Sequence, residues 1–275
     1  MALTIQPPAH LPPERILLVG KEGTGKTRAV LSIARRCPDA HFHVIDTDYS
    51  ASYDRMLGTE FADVGERGNV TTRVTGPWDW PAILDAAKEV QKECRPGDWV
   101  VVDSMTPTWN AVQEHFTNEV HGSDYEGYLL DVRKKREAAA KAGGRKGSSL
   151  EAFDGWMDWS VINQMYFRLY KHILQIPGHL LLTAEGQAIG DTDGRAVKDT
   201  YQVHGQRPAG QKKLGFLTNT VLITKKGRKG DYTLTTVKDR GREDVEDVEL
   251  GDFAKDYLQK VAGWKPRPFK EGEEG

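Results

Sequence analysis

Two cysteines, Cys37 and Cys94, are all the thiols in 275 residues. They are too few for a disulfide framework and suit a reducing compartment. No apolar run approaches the roughly 20 residues that span a bilayer. The opening stretch, Met1-Ala2-Leu3-Thr4-Ile5-Gln6-Pro7-Pro8, lacks the basic region and apolar core of a cleavable leader, so a cytoplasmic location is expected. Neither sign of charge dominates. The formal net charge of −2 excludes a globally basic protein and leaves nucleic-acid contact to local patches. Cys37, His41 and His43 fall close together, yet no fourth ligand accompanies them, and ordinary packing is the better reading. At 38% hydrophobic and 28% charged residues, the chain has enough apolar content for one large α/β domain with an ordinary polar surface.

What the chain does have begins at Gly20-Lys21-Glu22-Gly23-Thr24-Gly25-Lys26-Thr27, which fits the phosphate-cradling pattern G-x-x-x-x-G-K-[ST] without a mismatch. The apolar run Ile16-Leu17-Leu18-Val19 before it reads as a buried strand, and Thr27 to Ala34 after it reads as a helix. Glycines let successive backbone N–H groups turn toward an anion, and the helix start adds its positive dipole end. All eight residues, Gly20 through Thr27, are therefore assigned to a nucleotide. Lys26 is expected to reach the β- and γ-phosphates of ATP, and the Thr27 hydroxyl to hold Mg²⁺. A second anchor, Trp99-Val100-Val101-Val102-Asp103-Ser104, lies about 75 residues further on. An apolar strand tipped by a carboxylate has the form of a Walker B element, and Asp103 is the second expected metal residue.

Taken in order, residues 1–14 read as a proline-rich extended arm, 15–250 as the main domain, and 251–275 as a closing helix with a loose tail. Phe42 to Ile45 is a strand delivering Asp46, Thr47 and Asp48 at its carboxyl end, where ligands of open α/β sheets collect. Asn69 to Val74 alternates as a strand, and Trp80 to Cys94 has helical apolar spacing. Residues 121–157 form a basic insertion carrying Arg133, Lys134, Lys135, Arg136, Lys141, Arg145 and Lys146, either a solvated surface or a nucleic-acid contact. Leu180-Leu181-Leu182-Thr183-Ala184 is a further strand, tipped by Glu185, which is placed to sense a γ-phosphate or orient water. Residues 188–213 read as a loop without periodicity. Two strands of a terminal hairpin follow, and Lys238-Asp239-Arg240 supplies cations that could stabilise phosphoryl charge.

These elements, in this order, resemble the RecA-like P-loop ATPases, and most closely the small phage-type members proposed to act in single-strand annealing and recombination. The resemblance spans roughly residues 15–242. It implies an α/β fold of the RecA-like (ASCE) P-loop NTPase kind: a central, mostly parallel sheet, helices on both faces and a terminal β-hairpin. In that sheet the Walker A and Walker B strands are separated by the polar-tipped strand. It implies that Asp48 stands where the family carries its catalytic glutamate, with Glu185 as a candidate to share the task. Lys238 and Arg240 correspond to a Lys-x-Arg pair that acts on a neighbouring subunit's nucleotide, so a homo-oligomer is expected. The second DNA-binding loop corresponds to residues 188–213. Tyr201, Arg207, Lys212 and Lys213 within it are the expected contacts to single-stranded DNA, by stacking and phosphate pairing. A single-strand-binding protein is a possible further partner. Two other classes stay open: a P-loop kinase acting on a small molecule, and a nucleotide-gated assembly or loader protein with little turnover.

Overall fold

A computed structural model describes residues 4–9, 11–48, 51–76, 79–141, 157–191 and 193–266. Eleven strands are described: β1 (Ile5–Gln6), β2 (Arg15–Gly20), β3 (Phe42–Asp46), β4 (Val70–Val74), β5 (Trp99–Asp103), β6 (His179–Ala188), β7 (Gln206–Pro208), β8 (Thr220–Lys226), β9 (Tyr232–Asp239), β10 (Val248–Glu249) and β11 (Lys265–Pro266). The helices are α1 (Lys26–Arg36), α2 (Ser52–Leu57), α3 (Ala62–Arg67), α4 (Trp80–Glu93), α5 (Met105–His121), α6 (Tyr125–Lys141), α7 (Met157–Leu174) and α8 (Arg195–Tyr201), with a π-helical turn at Ala254–Gln259.

The main sheet runs β10-β9-β8-β2-β6-β5-β3-β4, with β7 attached to β6. From β8 to β4 neighbouring strands are parallel, and β9 and β10 close one edge antiparallel. β6 therefore lies between the P-loop strand β2 and the acid-tipped strand β5, the order expected of a RecA-like sheet. Strands covered on both faces need apolar residues at every position, which explains the unbroken runs in β2, β5 and β6. Alternate residues serve opposite layers. Leu17 and Val19 pack toward the core that includes residues of α4, α5 and α7. Ile16 and Leu18 pack toward the core of α1, α3 and the π-turn. Each fully buried Leu or Ile contributes about 1.5–3 kcal/mol.

The described parts of the expected arm and tail meet each other. β1 pairs antiparallel with β11, and Ile5 is buried. Trp264 is buried too, and its indole N–H donates to Glu14 Oε1 at 3.1 Å. The Arg242 guanidinium donates to both Glu14 oxygens, at 2.7 and 3.1 Å. Apolar burial and one buried carboxylate thus fasten the extended arm at Ile5 and Glu14 and the start of the expected tail at Trp264. Residues 267–275 of the expected tail, and Arg145 and Lys146 of the basic insertion, lie outside the described residues. The stretch 188–213 also has more structure than its lack of periodicity suggested: β7 folds back on β6, with Gln187 opposite Arg207, and α8 lies between them.

Candidate active site

The P-loop leaves β2 at Gly20 and enters α1 at Lys26. A Cβ at Gly20 would stand 2.3 Å from Thr224 Oγ1, 2.5 Å from Thr24 Oγ1 and 2.7 Å from the Thr224 carbonyl oxygen. Only glycine lets the loop press against β8. Gly25 has φ +89°, a left-handed conformation costly for other residues. Substituting Gly20→Ala should cost about 1–3 kcal/mol through overpacking against backbone, read as a lowered thermal midpoint together with weakened nucleotide binding. An unchanged midpoint would mean that β8 yields freely.

Within this loop the Lys26 ammonium donates to the carbonyls of Gly20 at 2.8 Å and Lys21 at 3.0 Å. Burial pulls its pKa down, and the carboxylates of Asp103, Asp48, Glu185 and Glu22 oppose that shift. Four acids therefore converge on one lysine. The Thr24 hydroxyl caps the Lys21 carbonyl at 2.8 Å, and Thr224 Oγ1 lies 2.9 Å from Thr24 Oγ1, which anchors the loop to β8.

Asp103, at the tip of β5, is 4% exposed. Its Oδ2 accepts from Thr27 Oγ1 at 2.8 Å and from Tyr53 OH at 2.9 Å, and its Oδ1 accepts from Thr183 Oγ1 at 2.5 Å. The two residues expected to hold a metal, Thr27 and Asp103, are thus in direct contact. Next to them Thr47 Oγ1 donates to the Ser104 carbonyl at 2.6 Å and accepts from the Ser104 N–H at 2.9 Å. Ser104 Oγ donates to Asp48 Oδ1 at 3.2 Å. Enclosure by the cleft and then the neighbouring Asp103 charge push the Asp48 carboxyl up to about 6, with the Ser104 hydrogen bond working against the rise. Glu185 stands opposite Gly20 in the β2–β6 register and is exposed; its N–H donates to Thr106 Oγ1 at 3.0 Å. A cleft of about 810 Å³ is lined by Lys26, Thr27, Asp48, Asp103 and Glu185, with Arg55 and Tyr232 also on its lining. Its size and a lining that combines Lys26 with carboxylates suit a nucleoside triphosphate with a divalent cation.

Other expected residues lie elsewhere. β9 runs antiparallel to β8, so Lys238 is opposite Val221 and Asp239 opposite Thr220. Arg240 then falls about five residues below the level of Gly20, roughly 16 Å at ~3.3 Å per residue. Neither cation serves the phosphate cradle of its own chain. The Lys238 ammonium donates to the Gly215 carbonyl at 2.7 Å and also to that of Thr218, whereas Arg240 is exposed. Two of the expected DNA contacts need correction. Tyr201 is 4% exposed, with its hydroxyl against Gly215, so it has no face to offer a base. Arg207 is buried and paired with Asp193 at 3.0 Å, which satisfies a charge that was expected to meet phosphate. Lys212 and Lys213 are exposed, as is Phe216 nearby.

Tyr53, Thr183 and Ser104 were absent from the expected set. Thr183 carried a signal, as the one hydroxyl inside Leu180–Ala184; Tyr53 reaches Asp103 across 50 residues and carried none. Among curated proteins, none matches the chain. Among solved structures, the crystal structure of the RadB recombinase is similar at 17% identity, covering 86% of each chain, with a TM-score of 0.47. A family model, AAA_24, described as an AAA domain, matches residues 13–222. That span runs from the residues just before β2 into β8 and takes in the P-loop, Asp48, Asp103 and Glu185, so the chain belongs to the AAA domain family AAA_24.

Proposed function

We propose that this protein is a Mg²⁺-dependent ATPase that assembles with copies of itself and acts on single-stranded DNA in recombination, annealing or repair. On this reading it is a phage-type member of the RecA-like group, working in a host cytoplasm alongside a single-strand-binding protein. The observation that carries the ATPase reading is the contact of Thr27 with Asp103 at 2.8 Å beside a loop whose lysine rests on its own carbonyls. Such a lysine can exchange Gly20 and Lys21 for phosphate oxygens without rebuilding the loop. Thr27 and Asp103 would hold Mg²⁺, which supplies neutralisation of charge on the β- and γ-phosphate oxygens. Phosphoryl transfer asks the protein mainly for positioning and charge stabilisation. Asp48, oriented by Ser104, would take up the proton of the attacking water, and Glu185 would sense the γ-phosphate.

Arg240 is exposed and remote from its own cradle, as a residue serving a neighbouring subunit's nucleotide must be. With Tyr201 and Arg207 committed to packing, Lys212 and Lys213 remain for phosphates, and exposed Phe216 is the better stacking surface. From Arg133 to Arg136 helix α6 is exposed and basic, with Arg133 and Lys134 paired to Glu137 and Asp131, and on this reading it would be a second phosphate-binding element. An assembly role with little turnover also has support, since Asp48 is one methylene shorter than the glutamate of the resemblance.

The test is the ATPase rate with and without single-stranded DNA. Stimulation is the expected result, with a salt dependence that flattens when Lys212 and Lys213 are neutralised. Turnover only with a small acceptor would make the protein a kinase, and tight binding without turnover a nucleotide-gated assembly factor.

The rise of Asp48 to about 6 also sets a pH dependence. Below that value the free enzyme carries the carboxyl protonated and unable to accept a proton, so kcat/KM should fall about tenfold per pH unit below about 6 and level off above it. A flat profile between pH 5 and 7 would take the proton-accepting role away from Asp48.

A further inference from the structure

We propose that Tyr53 is a positioning residue for the metal site: its hydroxyl fixes the Asp103 carboxylate and couples that carboxylate to the segment bearing Asp48. The inference rests on the Mg²⁺–nucleotide reading above. Tyr53 is 2% exposed and its hydroxyl donates to Asp103 Oδ2 at 2.9 Å. A buried phenol needs a hydrogen-bond partner, but a phenylalanine would fill the same space without one. The oxygen is therefore informative about Asp103 rather than about packing.

Asp103 receives three hydroxyl donors, and they differ in what they are attached to. Thr27 belongs to the P-loop helix and is itself expected to turn to the cation. Thr183 lies on β6 within the sheet. Tyr53 alone comes from α2, the helix that follows the Asp46-Thr47-Asp48 strand end and lines the nucleotide cleft through Ser52, Arg55 and Met56. When Thr27 turns to a metal, Tyr53 and Thr183 are left to hold the two carboxylate oxygens, one each. The way into α2 is itself constrained: Ala51, just before it, has φ +49°, a left-handed conformation that non-glycine residues keep only when the surroundings enforce it. The Thr47–Ser104 and Ser104–Asp48 bonds form a second tie between the same two segments. A shift of the Asp103 carboxylate is thus transmitted to α2 and the acid loop, and the reverse.

The test is titration of a fluorescent ATP analogue, first in EDTA and then across a Mg²⁺ series, with wild-type protein, Tyr53→Phe, Asp103→Asn and the double variant. Tyr53→Phe keeps the ring, and Thr27 and Thr183 keep the carboxylate satisfied, so the fold is retained. Affinity in EDTA should stay within about twofold of wild type. The Mg²⁺ concentration giving half of the affinity gain should rise about tenfold, as for loss of a residue that orients a metal ligand. In the Asp103→Asn background the same change should have no further effect on Mg²⁺. An unchanged Mg²⁺ half-point in Tyr53→Phe, with a normal gain in wild type, overturns the inference alone. So does an equal Mg²⁺ shift in the Asp103→Asn background. Absence of any Mg²⁺ gain in wild type overturns both this inference and the ATPase reading beneath it.

Discussion

Replacing Lys26 by alanine is expected to lower ATP turnover by a factor of about 10²–10³, the loss typical of removing one preorganised charge-stabilising donor. Its ammonium donates to the carbonyls of Gly20 and Lys21 inside the loop, the second of which also accepts from the Thr24 hydroxyl. Four acids lie near enough to influence it, so its removal also leaves the cleft markedly negative. A triphosphate would then meet Asp48, Asp103 and Glu185 without the one loop cation that lines the cleft beside them. The fold should survive, because the bond of Lys26 to the Lys21 carbonyl is exposed to water. The check is steady-state turnover beside a thermal melt. Loss of turnover with an unchanged melt is the expected pair, and turnover within a factor of three of wild type would remove the phosphate role from Lys26.

Arg242→Ala should be the most destabilising single change at the opposite end of the sheet, by about 3–5 kcal/mol, because it leaves a buried carboxylate unpaired. Glu14 is 5% exposed and takes both guanidinium nitrogens. Asp239, also buried, lies 3.4 Å from the same guanidinium and accepts from Tyr257 OH at 2.5 Å and Thr220 Oγ1 at 2.9 Å. Without Arg242 two buried acids that share its guanidinium would lose the cation between them. The loss should appear as a lowered midpoint in urea with little change in nucleotide affinity, since the P-loop lies at the other end of β2. Arg242→Lys should recover only part, as an ammonium cannot span both Glu14 oxygens. A midpoint within the error of wild type for Arg242→Ala would show that Glu14 finds water instead.

The contrast between Arg240 and Arg242 shows why some of this was legible in the sequence and some was not. The two arginines are alike on paper and two residues apart, yet one is exposed and the other holds a buried carboxylate just before β2. Composition and spacing cannot separate them, because the partner of Arg242 is 228 residues away. Tyr201 and Arg207 misled for the same reason: an aromatic and a cation in a polar stretch read alike whether they face DNA or Gly215 and Asp193. The P-loop and β5 were legible because their chemistry is short-range, a strand, a turn and a helix start in one case and an acid at a strand tip in the other. Sheet order followed from the family resemblance rather than from periodicity. Tyr53 lay beyond reach, since nothing local marks a tyrosine that will meet a carboxylate on a strand it does not adjoin.

The central claim, that the bend between β2 and α1 holds the triphosphate of a nucleotide with its cation, is tested most directly by calorimetric titration of ATP into the purified protein in the presence of Mg²⁺. The account predicts saturable binding at one site per chain, weakened when Mg²⁺ is chelated and lost in Lys26→Ala. No heat of binding at millimolar ATP with Mg²⁺ present, or equal binding by Lys26→Ala, would contradict it.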